Sequence, residues 1–178
     1  MIIRARAPLR LGLAGGGTDV SPYTDIYGGA VMNATISRFA YTTIETLTDK
    51  KITIESADLG TSKDYPLTDV LPMDDGHLNL TKAAYNRIVR DYNGGEPLAV
   101  KVTTYSEAPP GSGLGASSTL VVSLVTAFGE LLSLSLGEYD IASLAYLIER
   151  KDQKLRGGRQ DQYAAAFGGF NFMEFQSA

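Results

Sequence analysis

At 178 residues, 44% of them hydrophobic and 20% charged, the chain has the composition of one ordinary globular domain rather than a disordered segment. Its net charge of −4 supplies no basic surplus to neutralise a nucleic-acid backbone or an anionic membrane, although backbone N–H groups can still bind one small anion. With no cysteine and a single histidine, His77, the chain excludes disulfides, thiolate metal sites and histidine clusters, and disfavours a Ser-His-Asp hydrolase.

The N-terminus lacks the apolar run of a signal peptide, and no apolar stretch is long enough to span a bilayer. The expectation is a cytoplasmic protein that binds neither membrane nor nucleic acid. Residues 2–14 are read as a strand from the alternation of Leu9, Leu11 and Leu13, stopped by Gly15-Gly16-Gly17. The β-branched and aromatic run 30–47 predicts a long strand, and 50–56 a shorter partner joined to it by the turn Thr48-Asp49-Lys50. His77, in the turn-like run Asp74-Asp75-Gly76-His77, reads as a surface or capping residue. Residues 78–92 carry Leu78, Leu80, Ala84, Ile88 and Tyr92 at helical spacing and end at Asn93-Gly94-Gly95.

A strand over 97–106 follows, with Leu98, Val100 and Val102 alternating, and then the breaker-rich loop 109–115. Leu120, Leu124, Val125, Phe128, Leu131 and Leu132 form the apolar face of a helix. A second helix is expected from Glu138 to Lys154, a short one near 161–167, and a last strand-like run through Phe170, Phe172 and Phe175. The order of elements predicts an α+β domain with an antiparallel sheet covered on one face.

The segment between the fourth strand and the apolar helix carries the strongest chemical signal. Glycines let a backbone approach an anion closely, and the helix behind them offers unsatisfied N–H groups and positive dipole charge. Ser117 and Ser118 can cap the helix or offer a hydroxyl to a phosphate-bound Mg²⁺. The bland alternative is a tight turn with a serine cap. The loop is neither a lysine-bearing phosphate loop nor a dinucleotide fingerprint.

Pro110-Gly111-Ser112-Gly113-Leu114-Gly115-Ala116-Ser117-Ser118 resembles the second signature motif of the GHMP kinases, roughly P-x-x-x-G-L-G-S-S, with Ala116 at the first serine. The run from Ala7-Pro8-Leu9-Arg10 to Gly17-Thr18-Asp19 is similar to the family's first motif. Gly157-Gly158-Arg159-Gln160-Asp161-Gln162 resembles its catalytic-aspartate segment. The three come in family order and span nearly the whole chain. The resemblance implies the two-layer α+β sandwich of the ribosomal-protein-S5-domain-2-like type, with the strands at 2–14, 30–47, 50–56 and 97–106 as its sheet.

It also implies ATP and Mg²⁺, with residues 110–118 holding nucleotide and Ser117 and Glu149 contacting the metal. Asp161 is then the residue that orients the attacking hydroxyl, and Arg10 the cation beside it. Asp19, Gly16 and Gly17 would face the substrate. Without the resemblance, Asp161 reads as a helix N-cap or first-turn acid and Arg10 as a surface arginine of an edge strand. Asp19 reads as an Asx turn, and Glu149 as a partner for Arg150, Lys151 or Lys154.

The wording of the first and third motifs is most similar to the kinases of D-glycero-D-manno-heptose 7-phosphate, which implies formation of the 1,7-bisphosphate. Gly16 and Gly17 stand where galactokinase-like members carry an acid and a histidine. A phosphorylated sugar needs an anion site, for which position suggests Arg159, with Arg156 nearby. The family carries a second domain, so residues 1–178 are expected to be an inactive N-terminal half. Copies are expected to associate through the apolar face that the missing half would cover. The competing readings are a kinase for another sugar such as fucose, a non-catalytic sugar- or nucleotide-binding module, and an interaction domain.

Overall fold

The computed structural model describes residues 1–76 and 78–177, so the reading of His77 lies outside the described residues. Strand β1 (Ile2–Ala14) runs antiparallel to the 18-residue β2 (Gly29–Thr46), with register irregularities after Pro8 and after Gly12. On its other edge β2 holds two strands end to end: β5 (Val100–Ser106) against 40–46, and β6 (Phe170–Phe175) against 29–34. β3 (Lys51–Ser56) lies beyond β5, and β4 (Thr61–Pro66) forms the edge, giving the order β1-β2-β5-β3-β4 with β6 beside β2.

The sheet is therefore mixed and six-stranded, not the antiparallel sheet expected. β3 and β5 run parallel because the chain crosses between them through helix α2 (Asn79–Tyr92), a connection long enough to reverse its direction. β4 had no apolar alternation to reveal it. Of Thr61-Ser62-Lys63-Asp64-Tyr65-Pro66 only Tyr65 is buried, as suits an edge strand with one anchoring side chain.

One face of the sheet carries the core. Val31, Ala40, Ile44, Ile52, Ile54 and Val102 alternate inward with no exposed surface, against α2, α3 (Ala116–Leu131), α4 (Glu138–Leu147) and α5 (Gln160–Phe167). A short helix, α1 (Tyr23–Tyr27), follows the first glycine turn. α3 is the central helix; its Val121, Leu124, Val125 and Phe128 are buried, each contributing about 1.5–3 kcal/mol of transfer free energy. Phe128 meets Tyr85 of α2 edge-on at 6.4 Å between ring centres. A buried hydrogen bond of 2.7 Å between Thr42 and Ser123 ties α3 to β2. Sheet and helices thus form two layers, as expected of an α+β sandwich. On the opposite face, Leu11, Ala34 and Phe170 stand in register across β1, β2 and β6, and Leu11, Phe170 and Phe172 are exposed.

The helix expected over 138–154 changes character part-way. It is α-helical to Leu147 and then widens into a π turn at Ile148–Asp152, closed by Gln153 N–H donating to the Ile148 carbonyl at 3.0 Å. The extra residue per turn brings Ile148 and Glu149 inward together; both are buried. Among the described residues no helix is long and apolar enough to cross a membrane.

Candidate active site

The glycine loop meets α3 at Gly115, whose φ of +74° is the left-handed conformation that glycine adopts without penalty. A Cβ there would also lie 3.3 Å from the carboxyl carbon of Asp161. The first α3 bond runs from Thr119 N–H to the Gly115 carbonyl at 2.9 Å, leaving the N–H groups of Ala116, Ser117 and Ser118 without helical acceptors. These residues border a cleft of about 750 Å³. Pro110, Gly111, Ser112, Gly113, Gly115, Ala116, Ser117 and Ser118 all line it; Leu114 does not, and its carbonyl accepts the Arg10 N–H at 3.2 Å.

Arg10 and Asp161, 151 residues apart, form one unit. Arg10 Nε donates to Asp161 Oδ1 at 2.6 Å and Nη2 approaches the same oxygen at 2.5 Å, while Nη1 donates to the Gly113 carbonyl at 2.9 Å. Both arginine and aspartate are largely buried, so the pair is shielded from solvent screening. Among the described residues Asp161 Oδ2 accepts no hydrogen bond. One carboxylate oxygen is thus fixed and the other remains available beside the cleft that Asp161 lines.

Glu149, 1% exposed, is the second carboxylate. The π turn brings it under the start of α3, where Ser117 Oγ donates to Oε1 at 2.9 Å and Gln162 Nε2 donates to Oε2 at 2.5 Å. Gln162 also donates to Ser118 Oγ at 3.1 Å. Ser117 and Glu149 both line the cleft. Their oxygen donors suit a hard cation such as Mg²⁺, which takes one or two protein ligands and completes its shell with phosphates and water. No group of three or more His, Cys, Asp or Glu poised around one metal position occurs among the described residues.

The remaining expected residues divide. Asp19 is buried, its Oδ2 accepting the N–H groups of Arg159 and Gln160 at 2.9 and 3.0 Å and its Oδ1 the Gln160 amide at 3.2 Å. Here it orders the start of α5, and Gly158 lacks a side chain because a Cβ would collide with this carboxylate. Gly16 and Gly17 are exposed with open space around them. Arg159 is not at the cleft; its guanidinium lies over the Tyr146 ring at 5.4 Å. The arginines that do line the cleft are Arg156 and Arg150. Arg150, unremarkable in a charged helix end, donates to the Gly158 carbonyl from Nε and Nη2, each at 3.3 Å. Only the π turn brings it there, and no spacing in the sequence signals that turn.

The family signature "GHMP kinases N terminal domain" matches residues 79–169, half of the chain. The chain belongs to the GHMP kinases. Its GHMP fold also appears in the Methanococcus jannaschii mevalonate kinase, with a TM-score of 0.78 at 20% identity over 98% of this chain and 53% of that one. Among curated proteins it is 54% identical over 173 residues to the D-glycero-alpha-D-manno-heptose 7-phosphate kinase of Campylobacter jejuni, covering 97% of this chain and 50% of that protein. A crystal structure of a D-glycero-D-manno-heptose 1-phosphate kinase from Bacteroides thetaiotaomicron superposes with a TM-score of 0.94 at 57% identity, over 99% of this chain and 57% of that one. This GHMP kinase chain thus spans about half the length of these relatives.

Proposed function

We propose that the chain is the nucleotide- and aspartate-bearing half of a kinase that transfers the γ-phosphoryl group of ATP to a hydroxyl of D-glycero-D-manno-heptose 7-phosphate, giving the 1,7-bisphosphate. The observation that carries this reading is the Arg10–Asp161 pair beside the cleft that the glycine loop lines. The chemistry of phosphoryl transfer asks the protein mainly to position groups and to place opposite charge against the moving phosphoryl oxygens.

Each residue has a place in that scheme. The free N–H groups at the start of α3 and the flexible glycines receive phosphate oxygens. Asp161, with Oδ1 held by Arg10, presents Oδ2 to the acceptor hydroxyl, orienting it and taking its proton as the bond to phosphorus forms. The Arg10 guanidinium, charged at all working pH values, offsets negative charge on the transferred group. Ser117 and Glu149 would hold Mg²⁺, which when bound neutralises phosphate charge. The cleft is also lined by Leu59, Leu78 and Leu80 and by Asn79, whose buried Oδ1 has no donor among the described residues. Apolar walls with one unmet acceptor suit a purine bearing an exocyclic amine.

The relatives' names agree on a heptose phosphate and differ in the phosphate position, so the test offers both. ADP release by the full-length protein with Mg·ATP is expected with the 7-phosphate and not the 1-phosphate. Asp161→Asn should lower kcat by about 10²–10⁴-fold without changing the melting temperature appreciably. Turnover on a plain sugar, or undiminished turnover in Asp161→Asn, would overturn the substrate or the role respectively.

A further inference from the structure

Gln162 has no part in the chemistry above, yet its amide donates to both Glu149 and Ser118. It has no exposed surface, and an amide at such a position is costly because each polar atom needs a partner. Its Oε1 has none. An apolar side chain of the same size would fill the space without that cost, so packing alone does not account for an amide here.

Its Nε2 is where the amide acts. Glu149 has two oxygens with different surroundings: Oε1 faces Ser117, at the cleft, and Oε2 faces Gln162, which is not among the residues lining the cleft. If Ser117 and Glu149 held a cation through Oγ and Oε1, the hydrogen bond between them would be lost, because the hydroxyl would have to turn a lone pair towards the cation. Of the two hydrogen bonds that the Glu149 carboxylate accepts among the described residues, only the one from Gln162 would survive that change. The nearby Arg150 Nη1 is 3.8 Å from Oε1, beyond hydrogen-bond reach.

Resting on the functional reading above, we propose that Gln162 is a positioning residue. It holds Glu149 from behind in the orientation that receives the divalent cation, and it ties that carboxylate to Asp161, its neighbour on α5. Groups that orient a metal-binding side chain typically matter 10–100-fold when lost, a range taken here as roughly the effect expected.

The test uses the full-length protein with Gln162→Leu, which keeps the volume and removes the donor. Mn²⁺ titrated into the protein–ADP complex is followed by electron paramagnetic resonance, beside the Mg²⁺ dependence of turnover and the KM for sugar phosphate. The expected result is Mn²⁺ affinity weakened about 10–100-fold, a matching rise in the Mg²⁺ requirement, and an unchanged KM for the sugar. Unchanged Mn²⁺ affinity in a folded Gln162→Leu protein would overturn the inference, whatever happened to kcat. If that variant does not fold, Gln162→Asn, whose amide is retained but shorter, is expected to weaken Mn²⁺ binding by a smaller factor, and unchanged affinity overturns the inference equally. A wild-type protein that binds no Mn²⁺ with ADP would overturn the functional reading itself, and this inference with it.

Discussion

Two shielded acidic groups, Asp75 just before α2 and Glu149 under the start of α3, are balanced differently. Asp75 is neutralised by cations: Lys82, which has no exposed surface, donates to Oδ1, and Lys63 donates to Oδ2 at 2.9 Å, joined there by Tyr65 Oη at 2.8 Å. Glu149 is more deeply buried, yet its hydrogen bonds come from a serine and an amide, with the nearest guanidinium 3.8 Å away. Desolvation of a charge is expensive, and a carboxylate held by neutral donors recovers less of that cost than one held by a lysine. The first cluster is complete as it stands; the second has the electrostatics of a site that gains from a cation.

That contrast can be broken by removing charge from each. Lys82→Met leaves Asp75 without its buried partner and is expected to cost about 3–5 kcal/mol, read as a shift of the urea midpoint. Lys82 also donates to the Pro72 carbonyl at 2.7 Å, so the loss includes a backbone anchor. Glu149→Gln removes a desolvated charge while disturbing one of two hydrogen bonds, two effects that offset, so stability should stay within about 1.5 kcal/mol of wild type. The Mg²⁺ requirement of the full-length protein should nevertheless rise. A loss at Glu149 as large as that at Lys82 would make both carboxylates structural, and the distinction would fail.

The sequence made one of these clusters legible and not the other, for physical reasons. Arg10, Asp161, Ser117 and Glu149 lie in runs whose glycines and spacing resemble a family pattern; the structure brings Asp161, Ser117 and Glu149 to one cleft and holds Arg10 against Asp161. The strands and helices that carry them follow from apolar periodicity, because burial on one face imposes it. What could not be read depended on tertiary context. The π turn is invisible in Ile148-Glu149-Arg150-Lys151-Asp152, which has ordinary helix composition; Asp152 is drawn aside by a two-pronged contact with Arg87 at 2.8 and 2.6 Å. Position alone suggests Arg159 as an anion anchor, and the stacking on Tyr146 that turns it away requires a partner thirteen residues earlier on another helix. Lys82 reads in the sequence as one more polar position of an amphipathic helix, and only the return of the 72–76 segment over α2 buries it.

The smallest effect concerns Tyr65. Burial first, and then its hydrogen bond to Asp75, push its phenol up from 10.0 to about 12. The neutral phenol is the form that the fold favours. This contribution to stability is therefore fully present below pH 10, where an unfolded tyrosine titrates, and is lost as pH rises from there towards 12. Subtracting the alkaline absorbance titration of Tyr65→Phe from that of wild type should leave one tyrosinate transition near 12. A difference transition near 10 would mean that Tyr65 is not sequestered and that Asp75 does not hold the 72–76 segment closed. Because Leu78 and Asn79, two and three residues beyond that segment, line the cleft, the same titration reports whether the chain is held in place beside it.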